Sequence, residues 1–214
     1  MNKHLNVNLA EVRQPSIEAG YSERNVHDHL KSLSIPELQQ ISQASVLPFW
    51  VMTLNVLGDL NVATVIRSAH LLGAERVVVF GRRRIDNRGL VGAAHYTPVE
   101  KVWAVNEDLT INVDLFVQFC TTNNVIPVFV EQGGYNCFTM DWCSTFATYQ
   151  AQGHKPILVL GTEKDGIPTA VIDQGVGLGG CVVSIPQKGV LRSHNLSMAF
   201  AIVASQMVSR MGWY

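Results

Sequence analysis

The chain has 214 residues, 47% hydrophobic and 15% charged, with a net charge of −1 and a mean hydropathy of +0.15. This composition excludes intrinsic disorder, which needs low hydrophobicity and high net charge, and argues against a generic cationic coat for nucleic acid. No apolar run reaches the roughly 18 residues of a membrane helix, and the opening MNKHLNVNLAEVRQ lacks the apolar core of a secretory signal, so a soluble, cytoplasmic protein is expected.

The first 45 residues are polar. SERNVHDHLKSL and SIPELQQISQ are two short helical candidates, with Ser22 and Asn25 in the first and Ser34, Pro36 and Glu37 in the second as start signals. A packed appendage, a dimer arm and an RNA-contacting lobe all stay open for this extension. From about Leu47 the pattern becomes β/α. PFWVMTL (48–54) suits a buried strand. NVATVIRSAHLLG (61–73) has helical periodicity through Val62, Val65, Ile66, Ala69 and Leu72, and Gly73 closes it. RVVVFG (76–81) is β-branched and reads as a buried parallel strand, followed by the basic loop RRRIDNR. A helix is predicted over 111–122, then strands at VIPVFVE (125–131) and PILVLG (156–161). A helix near 168–174, a strand at CVVSIP (181–186) and a long helix from Ser193 to Met211 complete the chain. Strands alternating with helices predict an α/β domain over 46–214 with a mostly parallel sheet flanked by helices.

Charge is spread unevenly. Residues 64–101 hold seven basic side chains against three acidic ones, and 182–214 hold three basic and no acidic ones. Two basic segments on a near-neutral chain suit a polyanion bound to one face, although uneven surface charge explains them equally well. The cysteines Cys120, Cys137, Cys143 and Cys181 form no C-x-x-C pair and lie at no zinc-finger spacing. Buried free thiols are expected, with no metal site.

No dinucleotide fingerprint or Walker loop is present. GVGLGG (175–180) follows a helix and precedes a strand, the wrong context for a phosphate cradle, and is read as a loop. Three other segments fall at strand ends or helix starts, where open α/β sheets bind ligands. GDLNVATVIRSAHLLGA (58–74) places Asn61 at a helix start and Arg67 in an apolar stripe, where an arginine is costly unless paired, aimed at a site or snorkelling to water. LVLGTEKDGIP (158–168) runs from a strand into Gly161, Glu163 and Gly166. VVSIPQKGVLRSHNLSMAFAIVASQM (182–207) carries Lys188, Gly189 and Arg192 in a loop and then Ser193, His194 and Asn195. Ser193 can serve there simply as a helix cap.

Together the segments resemble the three signature motifs of the SpoU/TrmH family of RNA 2′-O-ribose methyltransferases, within the SPOUT superfamily. Asn61, Arg67, Ser68 and Ala69 match the first. Leu160, Gly161, Glu163, Gly166, Ile167 and Pro168 match the second. Ile185, Pro186, Gly189, Ser193 and Asn195 match the third. Order and spacing agree over about 47–214. Two positions depart from the pattern: Ala63 stands for a glycine and His194 for a leucine.

The resemblance implies a C-terminal trefoil knot and a homodimer with its active sites at the interface. It implies S-adenosylmethionine as cofactor, cradled by Leu160, Gly161, Ser184, Ile185, Gly189 and His194. The reaction implied is methylation of a ribose 2′-hydroxyl in RNA. Arg67 would activate the hydroxyl electrostatically, Asn61 and Asn195 would orient the arginine and the ribose, Glu163 would brace loops or pair across the interface, and Ser193 would bond near the nucleophile or cap its helix. Arg82, Arg83, Arg84 and Arg88 would reach RNA phosphates. A tRNA is favoured over rRNA, and guanosine over other nucleosides. The apolar stripe of the last helix, with Met198, Phe200, Ile202, Val203 and Met207, would serve the core alone or the core and the interface. A non-catalytic RNA-binding SPOUT homodimer is the alternative.

Overall fold

The computed structural model describes residues 24–55, 60–82, 90, 92–162 and 165–213. Six strands form one sheet: β1 (Leu47–Asn55), β2 (Ala74–Gly81), β3 (Val99–Trp103), β4 (Val125–Asn136), β5 (Lys155–Leu160) and β6 (Cys181–Ser184). Their order is β3-β2-β1-β5-β4-β6, and every neighbouring pair is parallel. The helices are α1 (Ile35–Ala44), α2 (Leu60–Leu71), α3 (Val113–Thr122), α4 (Trp142–Ala151), α5 (Thr169–Gly177) and α6 (Leu196–Arg210).

The two-residue period of a strand splits the core into two layers. Phe49, Val51, Val77, Val79, Leu158 and Leu160 join side chains of α2, α4 and α6, among them Val65, Phe146, Phe200 and Met207. Trp50, Met52, Val78, Phe80, Ile157 and Val159 join Phe116, Phe119 and Val171 of α3 and α5. Both faces of the sheet are covered, which is why the strands read as unbroken apolar runs. Truncating a fully buried aromatic such as Phe146 or Phe200 to alanine should cost about 3–5 kcal/mol.

Local signals set the element ends. Gly73, at φ +74°, closes α2 as its position predicts. In α1 the Ser34 backbone N–H donates to Glu37 Oε2 at 2.7 Å, the return half of a capping box. The helix is docked on its own domain: Gln39 Nε2 donates to the His95 carbonyl at 2.8 Å and Ser42 Oγ to that of Tyr96 at 2.9 Å. The other N-terminal helical candidate is only a 3₁₀ turn over Asp28–Leu30 among its described residues.

Several expectations need correction. The last helix starts at Leu196 with Asn195 as its cap, so Ser193 lies outside it. Asn195 wins because its carboxamide oxygen reaches two free N–H groups of the first turn. Gly175 to Gly177 of the glycine run belong to α5. A Cβ on Gly175 would stand 2.2 Å from Phe129 Cζ, so this glycine lets helix and sheet approach. All four cysteines are free, yet only Cys120 and Cys137 are buried, Cys181 is intermediate and Cys143 is exposed. β3, α4 and the extension of β4 beyond Glu131 were not foreseen. That extension contains an excursion: β4 pairs with β6 through Val130↔Val183 and resumes at Tyr135↔Val183. Residues 131–134 are thereby thrown out of the ladder at the C-terminal end of the sheet.

Candidate functional site

The C-terminal ends of β5, β4 and β6 open into a cavity of about 390 Å³. The second motif forms one wall. Thr162 and Gly166 exchange backbone hydrogen bonds of 2.9 and 3.1 Å, closing a tight turn. Gly166 takes φ +69°. A Cβ on Gly161 would fall 2.3 Å from the Gly166 carbonyl carbon, so only glycine lets the two limbs touch. Glu163 lies outside the described residues.

The third motif forms the facing wall. Ser184 Oγ donates to the Gly134 carbonyl at 2.9 Å and ties the end of β6 to the β4 excursion. Residues 186–195 are exposed, and Gln132 Nε2 donates to the Arg192 carbonyl within this loop. The loop then enters α6 through Asn195. Its Oδ1 accepts from Ser197 N at 3.0 Å, Met198 N at 3.4 Å and Ser197 Oγ at 2.7 Å. Those bonds assign its amide, leaving Nδ2 to donate to Asn61 Oδ1 at 3.0 Å. The first motif is thus fastened to the third at the N-terminal ends of α2 and α6.

Of the residues singled out in the sequence, Gly161, Gly166, Ile185, Arg192, Ser193, His194 and Asn195 line the cavity. Asn61 joins them through Asn195. Leu160 is buried in the core, Ser184 is engaged with Gly134, and Gly189 has open space around its α-carbon; none of these three is in the lining. Arg67 is exposed on α2 and pairs with no described residue. Ala63, the departure in the first motif, is fully buried, so its methyl is packed in the core. Arg82 is half-buried directly after β2, whereas Arg83, Arg84 and Arg88 lie outside the described residues.

Three residues were missed. Glu131 and Gln132 line the cavity from the β4 excursion, and Ser197, a buried polar residue, supports Asn195. Glu131 had a readable signal, an acid at the C-terminal end of a strand. Glu131 Oε2 accepts from Ile167 N at 3.2 Å and Oε1 from Gln132 N at 2.9 Å.

Part of the basic segment is neutralised elsewhere. Arg76 Nη1 lies 2.8 Å from Glu100 Oε2 with its guanidinium carbon 4.5 Å from the centre of the Trp50 ring. Lys155 pairs with Glu75 at 2.7 Å. These residues sit at the starts of their strands, the end of the sheet away from the cavity. No group of His, Cys, Asp and Glu among the described residues could hold a metal ion, and no described helix is long and apolar enough to cross a membrane.

The chain resembles solved structures in fold. A TrmH/SpoU tRNA modifying enzyme of A. aeolicus superposes with a TM-score of 0.62 at 17% identity, over 84% of this chain and 85% of that one. An AdoMet-bound rRNA methyltransferase from Sinorhizobium meliloti gives 0.58 at 20% identity, covering 81% of this chain and 60% of that one. A putative TrmH-family RNA methyltransferase from Porphyromonas gingivalis gives 0.56 at 22%, covering 76% and 59%. The chain thus spans about 60% of the length of the latter two. A comparison with curated proteins gives no match. The model of the SpoU rRNA methylase family matches residues 48–205, a span that contains all three motifs and every described wall of the cavity, and the chain belongs to that family.

Proposed function

We propose that this protein transfers a methyl group from S-adenosylmethionine to a ribose 2′-hydroxyl of RNA, with tRNA, and guanosine within it, the favoured target. The observation that carries the reading is the single cavity built where the second and third motifs meet, bolted to the first by Asn195 and Asn61. The tRNA preference draws support from the A. aeolicus neighbour, whose length this chain covers most fully of the three.

The residues present fit the cofactor. The cavity volume falls in the range of roughly 300–1,000 Å³ usual for small-molecule sites. Gly161 and Gly166 bring bare backbone to one wall, while Ile185, Leu196 and Ala199 supply apolar surface for a purine. When bound, the cofactor supplies an electrophilic methyl group on a sulfonium. Backbone around Gly161, Ile185 and His194 would hold its adenosyl part.

A ribose hydroxyl is a weak nucleophile at neutral pH. A guanidinium stays protonated, so Arg67 serves as a fixed positive charge rather than a base. Placed beside the hydroxyl and its phosphate, it favours the developing alkoxide. Asn61 does not need to touch the ribose for this. Its bond to Asn195 fixes α2 against the cavity and so sets where Arg67 stands. Ser193, exposed at the cavity mouth, is free to hydrogen-bond the nucleotide. Arg82 and its neighbours would hold substrate phosphates. In a homodimer the last helix would offer its exposed Met198, since Phe200, Val203 and Met207 are already buried in the chain's own core.

Incubating the protein with bulk tRNA and labelled cofactor, then mapping modified nucleosides by mass spectrometry, tests the reading. Arg67→Ala should abolish transfer while leaving cofactor binding and the oligomeric state intact. Undiminished transfer by Arg67→Ala would remove the arginine from the mechanism. Cofactor binding absent even at millimolar concentration would favour a non-catalytic RNA-binding protein.

A further inference from the structure

We propose that Glu131 is the charge sensor of the cavity, the residue that makes it prefer the sulfonium methyl donor over the neutral thioether product. The inference rests on the methyl-donor reading of the site and deepens it. Glu131 stands in the excursion between Val130 and Tyr135, where β4 leaves its ladder with β6. That excursion turns an acid at the end of a buried strand into a wall of the cavity.

Three contacts fix the carboxylate. One oxygen accepts from Ile167 N and the other from Gln132 N. The same group abuts Gly166 so closely that a Cβ there would lie 2.6 Å from Glu131 Oε2. A carboxylate held by two backbone N–H groups is oriented before any ligand arrives, and each oxygen keeps a lone pair to spare. Among the described lining residues the other formally charged side chain is Arg192, in the loop whose carbonyl Gln132 holds. The cavity therefore carries an anion on the wall formed by β4 and the second motif.

The two forms of the cofactor differ by one methyl group and one positive charge on sulfur. A methyl contact discriminates weakly. A fixed carboxylate in a partly water-excluded cavity discriminates by charge, because attraction grows as the local dielectric falls. Preference for the charged form would let the spent product leave and limit product inhibition.

Calorimetry with S-adenosylmethionine and S-adenosylhomocysteine on the full chain tests this. The wild type should bind the sulfonium form more tightly. Glu131→Gln should shrink that preference by about tenfold, the order expected for losing one nearby charge, with homocysteine-form affinity nearly unchanged. Glu131→Asp, which keeps the charge, should retain most of the preference. Equal losses for both ligands in Glu131→Gln would mean that the carboxylate only braces the Gly166 turn, and would overturn the proposal. Should thermal melting show Glu131→Gln unfolded, the wild type decides. Its preference should fall from low to high salt as the charge is screened, and a salt-independent preference would overturn the proposal. Binding of neither ligand to the wild type would sink the methyl-donor reading itself, an outcome distinct from a preference that Glu131→Gln leaves unmoved.

Discussion

Asn195 Nδ2 donates to Asn61 Oδ1 across 3.0 Å, joining residues of the first and third motifs that stand far apart in the chain. One asparagine thereby caps α6 and latches it to α2. Asn195→Ala removes both functions and should cost about 1–2 kcal/mol. Asn195→Asp keeps the cap, and a flipped Asn61 amide can donate to it, so its loss should be smaller. Urea denaturation of the two variants checks this.

Gly161 and Gly189 both belong to the motifs, but their surroundings differ. Gly161→Ala drives a methyl into the Gly166 backbone, at 2.3 Å. It should destabilise the protein by about 1–3 kcal/mol, as overpacking does, and impair cofactor binding. Gly189→Ala meets nothing within 4 Å and should change stability by less than about 0.5 kcal/mol. Melting curves of the pair, run side by side, provide the measurement.

The thiols should separate by reactivity. Burial pushes the Cys120 thiol up to about 12 and raises those of Cys137 and Cys181 as well. Cys143 is exposed. Alkylation of the folded protein near neutral pH, read by peptide mass spectrometry, should label Cys143 first and spare Cys120 until denaturant is added, since the thiolate is the reactive form.

His70 is half-buried at the end of α2, where Nδ1 meets Thr97 Oγ1 at 2.8 Å. Desolvation lowers its pKa below the ordinary 6.5. The unfolded chain therefore binds the proton more tightly, and this contribution to stability is present above pH 6.5 and lost as pH falls below it. Denaturation midpoints taken across that window should drop on acidification for the wild type, and less for His70→Asn.

Neutralising Arg82, Arg83 and Arg84 together should weaken tRNA binding and flatten its salt dependence, by about one unit of log–log slope for each phosphate left without its cation. Arg76→Met should leave the slope alone, because Arg76 is committed to Glu100 and Trp50. Filter binding over a salt series distinguishes the two.

Most of the fold was legible because both faces of the sheet are buried. Runs such as RVVVFG and PILVLG announce strands whatever their neighbours. β3 did not, because VEKVW at the sheet edge mixes charged and apolar residues. α4 was hidden by WCSTFATYQA, which has no strong apolar stripe, although Asp141 accepting from Ser144 N at 3.0 Å was a readable start signal. Gly133 and Gly134 look like the end of β4, yet the strand continues through them. A side chain at Gly134 would strike the Val182 carbonyl, so the glycine lets the excursion lie against β6 before pairing resumes at Tyr135. In the site, the motifs gave the walls of the cavity. They could not give Ser197, whose role depends on a capping geometry, and they showed Glu131 only as an acid at a strand end, because its place in the wall is set by the pairing excursion.

The position of β5 between β1 and β4 also constrains how the nascent chain can mature. β1, β2, β3 and β4 leave the ribosome before the strand that must bridge them. Until β5 arrives, the inner edge of β1 and that of β4 each offer an unfilled row of peptide groups. Final assembly thus waits on pairing between segments distant in sequence, which is slow to form. Newly made protein should spend an interval as a three-stranded sheet and an unpaired β4, both open to illegitimate partners, and chaperone capture during synthesis is the expected protection.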